Sequence, residues 1–181
     1  MTLQVALVVG NPKPESRTRR IAQGFVDALV AGIPHETIVV DLAEYAGRVH
    51  SWPDEELDGL NAAVAASQVV VFASPTYKAT YTGLLKAFLD RYPSDGLAGV
   101  IAVPLLTGGG PRHAMGPTFT LAPLLAELGA VVPGRGLYFD MAEMDRMDEV
   151  VAAMAAGCRE TLARLGQVGA QVPGEPVASG R

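Results

Sequence analysis

The chain has 181 residues, of which 49% are hydrophobic and 18% charged, with a formal net charge of -5 and one cysteine. At that length folding buries roughly 70% of the surface of the unfolded chain, so a core forms without disulfide or metal staples. The acidic balance, with a pI near 5.1, gives no basic field for nucleic acid, and the apolar runs fall well short of the ~20 residues of a membrane span.

The first run, LQVALVV at residues 3–9, is apolar and rich in branched side chains. It reads as a buried strand rather than a signal peptide, because no basic segment precedes it and the chain turns at Asn11 and Pro12. A cytoplasmic protein is expected. Ile21, Phe25, Ala28 and Leu29 then recur at helical spacing. A strand over 37–40, a helix carrying Leu57, Leu60 and Val64, and a strand over 69–73 follow. Next come a helix carrying Leu84, Leu85, Phe88 and Leu89, a strand over 100–106, and a helix over 118–128. The last pair is a strand between 131 and 139 and a helix over 144–165, where Cys158 reads as packing rather than as a reactive thiol. From Gly166 the pattern dissolves into GQVGAQVPGEPVASGR, which predicts a flexible tail at 166–181 behind one domain at 1–165.

Five alternating βα units with continuous apolar strands predict an α/β fold with a doubly wound parallel sheet. Helices cover both faces, and five strands favour the flavodoxin-like order 2-1-3-4-5. Ligands of such sheets lie beyond the carboxyl ends of the strands, where the strand order reverses. The loops after strands one, three and four are the unusual ones.

The first loop is GNPKPESRTRR at 10–20, where Ser16, Arg17 and Thr18 open a helix. Helix amides, hydroxyls and a guanidinium make a phosphate cradle, while a plain N-cap at Ser16 and a solvated basic face are the alternative reading. No nucleoside-triphosphate or dinucleotide glycine motif is present. The second loop follows directly on a strand with Pro75, Thr76, Tyr77 and Lys78. It offers amide donors and an aromatic wall to a planar ring, or is a bare turn with a half-buried Tyr. The third, Thr107, Gly108, Gly109, Gly110, Pro111, Arg112 and His113, suits close approach of backbone to a ligand, or is a flexible turn. His113 has no Asp or Ser partner at a recognised spacing, so a capping or ring-contact role is read there. No catalytic side chain and no metal site are predicted.

With these loops in place the sequence resembles the NADPH-dependent FMN reductase family, and within it the small flavin reductases of two-component alkanesulfonate-type monooxygenases. The resemblance is carried by GNPKPESRT at 10–18, SPTYKATYTGLLKAFLD at 74–90 and PLLTGGGPRH at 104–113, and extends to about residue 165. It implies that Ser16, Arg17 and Thr18 hold the FMN phosphate, with Asn11 and Pro12 shaping the loop. Pro75, Thr76, Tyr77 and Lys78 would border the isoalloxazine and ribityl chain, and Thr107, Gly108 and Gly109 its far edge. It further implies NADPH or NADH as hydride donor, a homodimer or homotetramer with Leu84, Leu85, Phe88 and Leu89 partly between subunits, and a flavin-dependent monooxygenase as partner. The alkanesulfonate-type reductases carry a Tyr in an irregular helix after the Gly-rich loop; Phe119 stands there without the hydroxyl, which implies firmer retention of FMN. Two rivals share the fold: an FMN-retaining quinone, azo-dye or metal-ion reductase, and a flavodoxin-like electron carrier, for which a charge of -5 is only modestly acidic.

Overall fold

The branched, apolar runs form a single parallel sheet. The computed structural model describes residues 2–171. Its strands are β1 (Leu3–Val9), β2 (His35–Asp41), β3 (Val69–Pro75), β4 (Ile101–Gly108) and β5 (Leu137–Asp140). They lie in the order β2-β1-β3-β4-β5 with every neighbour parallel, as the sequence predicted. Five helices connect and close them: α1 (Arg17–Leu29), α2 (Glu55–Ala65), α3 (Gly83–Leu89), α4 (Ala122–Glu127) and α5 (Met147–Gly169).

Alternate strand residues feed two cores, one on each face. Val5, Leu7, Val9, Val71 and Leu105 pack with Ile21, Phe25 and Val26 of α1 and Val151 of α5. Ala6, Val8, Val70, Phe72 and Leu106 pack with Leu57, Leu85, Phe88 and Leu125. Leu85, Phe88 and Leu89 are completely buried within the single chain. They are therefore core, which corrects the expectation of a place between subunits, and only Leu84 of that set is partly exposed. Cys158 is half-buried against the α1–α5 core, and burial pushes its thiol pKa up, away from reactivity.

Three differences from the sequence expectation have local causes. The fifth strand forms only over Leu137–Asp140. Val131 pairs with Ile101, and Ala102 donates to its carbonyl at 2.9 Å. Two residues further along β4 the next donor on that side would be Pro104, which has no N–H, so the chain leaves the ladder at 132–136 and rejoins where Leu105 pairs with Leu137.

The helix predicted over 118–128 begins as one π turn, Pro117–Leu121, before α4. The Thr120 hydroxyl donates to the Gly116 carbonyl at 2.7 Å, and Pro123 has no N–H for the Phe119 carbonyl, so the α register is lost and Ala122 donates to Pro117 instead. Phe119 projects from this turn, 70% exposed. Finally, a 3-10 turn at Met141–Arg146 precedes α5, which runs four residues past the expected domain end at 165. The rest of the proposed tail, 172–181, lies outside the described residues. Among the described residues no helix is long and apolar enough to cross a membrane.

Candidate functional site

Parallel register brings Val9, Ala73 and Leu105 level across β1, β3 and β4, so the loops that follow them open on one edge. Gly10 sits where β1 ends. A Cβ there would stand 2.5 Å from the Cβ of Leu85, so only glycine lets α3 come this close. Thr82 caps α3 by accepting from the Leu85 amide at 3.2 Å, donates its hydroxyl to the Gly10 carbonyl, and gives its own N–H to the Ser74 hydroxyl at 3.0 Å. One buried threonine thus joins the ends of β1 and β3.

A second tie joins β1 to β4. The Asn11 amide donates to Thr18 Oγ1 at 3.2 Å, and Thr18 Oγ1 shares a hydrogen bond of 2.8 Å with Thr107 Oγ1. All three residues are buried. The Asn11 side chain also accepts from the Lys13 amide at 2.9 Å, which fixes the bend of the loop. Ser16 is the N-cap of α1 and accepts from the Arg19 amide at 3.2 Å. The first-turn amides of a helix have no intrahelical acceptor and attract an anion.

These loops enclose a cleft of about 380 Å³ lined by Asn11, Ser16, Arg17, Thr18, Pro75, Thr76, Tyr77, Thr107 and Gly108, with Lys13, Glu15 and Met141. Of the residues singled out in the sequence, Pro12, Lys78, Gly109 and His113 do not reach its wall. Pro12, Lys78 and Gly109 are exposed, and His113 ends a short 3-10 turn, Pro111–His113. Arg19 is occupied by Asp41 at 3.1 Å. Lys13 and Arg17 have no ion-pair partner among the described residues. The positive charge beside the helix N-terminus is therefore not neutralised by an ion pair among the described residues.

Thr76 Oγ1 is buried without a hydrogen-bond partner, while the Thr76 amide donates to the Thr107 carbonyl at 2.7 Å. Beyond it Tyr77 and Thr80 pair across a two-residue turn whose central residues, Lys78 (φ 52°) and Ala79 (φ 73°), both adopt positive φ. That turn normally selects Gly or Asn, so this one is held under strain. Tyr77 stands 53% exposed at the outer wall.

The sequence reading missed Met141, Tyr138 and Asp140, all at the carboxyl end of β5. The rule that ligands lie beyond strand ends extends to Met141, directly after that strand. Tyr138 donates its hydroxyl to the Gly110 carbonyl at 2.9 Å, and burial, then the nearby Asp140 carboxylate, push its phenol pKa up. Asp140 accepts from the Gly110 and Ala142 amides at 3.1 and 3.0 Å, and these bonds, that from Ala142 first, hold its carboxyl below the usual range.

An unpartnered buried hydroxyl, open helix amides and two unpaired cations beside a slot with an aromatic outer wall fit a flat ring system that carries a phosphate. Residues 3–143 match the family described as NADPH-dependent FMN reductase. The chain belongs to this family. Membership makes it an NAD(P)H-dependent FMN reductase, with FMN and a nicotinamide nucleotide as its cofactors. It is 29% identical to the NADH-dependent FMN reductase SfnF of Pseudomonas putida over 150 residues, covering 80% of this chain and 81% of that one. It is 26% identical to an FMN reductase (NADPH) of Pseudomonas aeruginosa, over 86% of this chain and 87% of the other. Among solved structures, an NADH:FMN oxidoreductase in its apo form superposes with a TM-score of 0.78 at 25% identity, over 97% of this chain and 92% of that chain. An oxidoreductase from Corynebacterium diphtheriae superposes with a TM-score of 0.79 at 25% identity, over 90% and 98%. Residues 10–18, 74–90 and 104–113, which carried the resemblance, all lie within the matched span.

Proposed function

We propose that this FMN reductase transfers a hydride from NADPH or NADH to FMN in the cleft between the β1, β3 and β4 loops and releases the reduced flavin to a flavin-dependent monooxygenase. The observation that carries the reading is the pairing of an unsatisfied anion cradle with a slot walled by Pro75 and Tyr77 in one cleft. The amides of residues 16–18 and the Arg17 guanidinium would hold the phosphate. The Thr18 hydroxyl, already bonded to Asn11 and Thr107, keeps the cradle in register with the β4 loop. Pro75, Thr76 and Tyr77 would border the ring system on one side and Thr107 and Gly108 on the other. Bound flavin supplies the hydride chemistry at its N5 atom, and the protein supplies orientation, amide dipoles and a dry wall. The exposure of Tyr77 at the outer wall supports exchange of flavin with solvent. Exposed Met115 and Phe119 offer an apolar surface consistent with a homodimer or homotetramer.

The test follows NADPH and NADH oxidation by purified protein with and without added FMN, together with the visible spectrum of the protein as purified. Colourless protein whose oxidation rate saturates in added FMN supports the reading. Yellow protein that oxidises nicotinamide only with a quinone or dye overturns the release step, and no oxidation under any condition overturns the whole. A charge-assisted hydrogen bond contributes roughly 1.5–3 kcal/mol. Arg17→Ala is therefore expected to weaken FMN binding about tenfold or more while leaving riboflavin, which has no phosphate, unaffected.

A further inference from the structure

Residues two apart on a strand share a face, as Tyr138 and Asp140 do on β5, and Gly136 directly precedes that strand. Each of the three meets the connection that leads from β4 to α4. Gly136 donates its N–H to Thr118 Oγ1 at 3.0 Å, and a Cβ on it would stand 2.6 Å from the Pro117 carbonyl carbon. The Tyr138 hydroxyl donates to the Gly110 carbonyl and lies so close under the loop that a Cβ on Gly108 would stand 2.6 Å from it. Asp140 takes the Gly110 amide. Both backbone polar groups of Gly110, which has φ 85°, are thus fixed by side chains of β5. Gly109, one residue earlier, donates its N–H to no backbone group among the described residues.

We propose that Tyr138 and Asp140 are positioning residues for the flavin ring, acting through the glycine loop: by holding Gly110 at both its N–H and its carbonyl they set the Gly108 backbone at the height where a planar ring meets it. The inference rests on the proposed placement of FMN in this cleft. Neither side chain lines the cleft, so neither is a catalytic residue. Three adjacent glycines have the widest backbone freedom of any tripeptide, and a loop built from them aligns a ligand only when something outside it removes that freedom. The tie is doubled at one residue because one hydrogen bond leaves a peptide plane free to rotate about it, whereas a donor and an acceptor on opposite sides of Gly110 do not. Gly108 carries the same logic from the other direction, since its missing side chain is the space that the Tyr138 hydroxyl and Thr76 Oγ1 occupy.

The experiment measures dissociation constants for FMN and for riboflavin by flavin fluorescence quenching, with thermal melting, on full-length wild type, Tyr138→Phe, Asp140→Ala and Asp140→Asn. Losing one hydrogen bond that orders a loop is expected to raise both constants about three- to tenfold in Tyr138→Phe and Asp140→Ala. FMN and riboflavin change together because the ring end is affected, unlike the phosphate-end substitution of Arg17. Asp140→Asn stays near wild type, since one amide oxygen can accept from both Gly110 and Ala142 as the carboxylate Oδ1 does now. Tyr138→Phe keeps the ring and its packing, so a loss of affinity with an unchanged melting temperature separates positioning from folding. Flavin binding by wild type with unchanged constants in Tyr138→Phe and Asp140→Ala overturns the proposal. Absence of flavin binding by wild type overturns the placement of FMN as well.

Discussion

The two edges of the sheet are built from different materials. Among the described residues nine polar or charged side chains are buried, and only Asn61 and Ser67 lie away from the carboxyl edge of the strands. At that edge Asn11, Thr18 and Thr107 bond one another across two loops, and Thr82 ties β1 to β3. At the amino edge the strands are joined by backbone bonds such as Leu3 to Pro34, Gln68 to Gln4 and Ile101 to Gln68. Buried hydroxyls add little net stability compared with apolar side chains of the same size, yet they fix geometry. The apolar interior therefore holds the molecule together, and the polar edge holds the loops at fixed separations.

That contrast can be broken by substitutions on either side of it. Phe25 is completely buried on α1, away from the cleft wall. Phe25→Ala is expected to cost about 3–5 kcal/mol of stability and to leave the FMN dissociation constant of the folded fraction unchanged, as thermal melts and fluorescence quenching will register. A comparable loss of affinity would erase the distinction. Thr82→Val keeps the volume, removes the α3 cap and leaves the Gly10 carbonyl without its donor. A loss of about 1–3 kcal/mol is expected, this time with weakened FMN binding, because the β1 and β3 loops part. Ala79→Gly acts in the opposite direction. Relief of the positive-φ strain is expected to add about 1 kcal/mol and to raise the melting temperature by roughly 2–4 °C. An unchanged melt would show that the turn stores no strain.

The smallest effect is a pH dependence. The folded-state pKa of Asp140 lies below its ordinary value of 3.8, so its contribution is fully present above the unfolded pKa and is lost as pH falls through the folded value. The unfolded chain takes up the proton first, and stability rises with pH across that window. The gap in melting temperature between wild type and Asp140→Ala, followed downward from about pH 6, should narrow as the pH falls through the folded value.

Much of this was legible in the residues. Apolar strand runs and 3.6-residue helix faces placed four of the five strands within two residues at each end, and the topology followed from alternation. The fifth strand was not, because a proline ends pairing only on the side its missing donor faces, and register decides that side for Pro104. The π turn hinges on the Thr120 hydroxyl choosing the Gly116 carbonyl, a choice that composition does not reveal. Most residues named for the cleft lie on it because loops after parallel strands share an edge. The hydroxyl of Thr18 was read as a phosphate contact, whereas in the fold it bonds Asn11 and Thr107. Tyr138 and Asp140 escaped notice because their partners are backbone atoms of another loop, and sequence carries no mark of a carbonyl's neighbour.

The break opposite Pro104 also bears on solubility. A strand from another molecule that approached the outer rim of β5 would meet only four residues of regular backbone, Leu137–Asp140, and then a loop that has left the plane. So short an edge gives a growing aggregate no template. β2 keeps seven residues at the opposite rim, where the exposed Glu36 stands near its start.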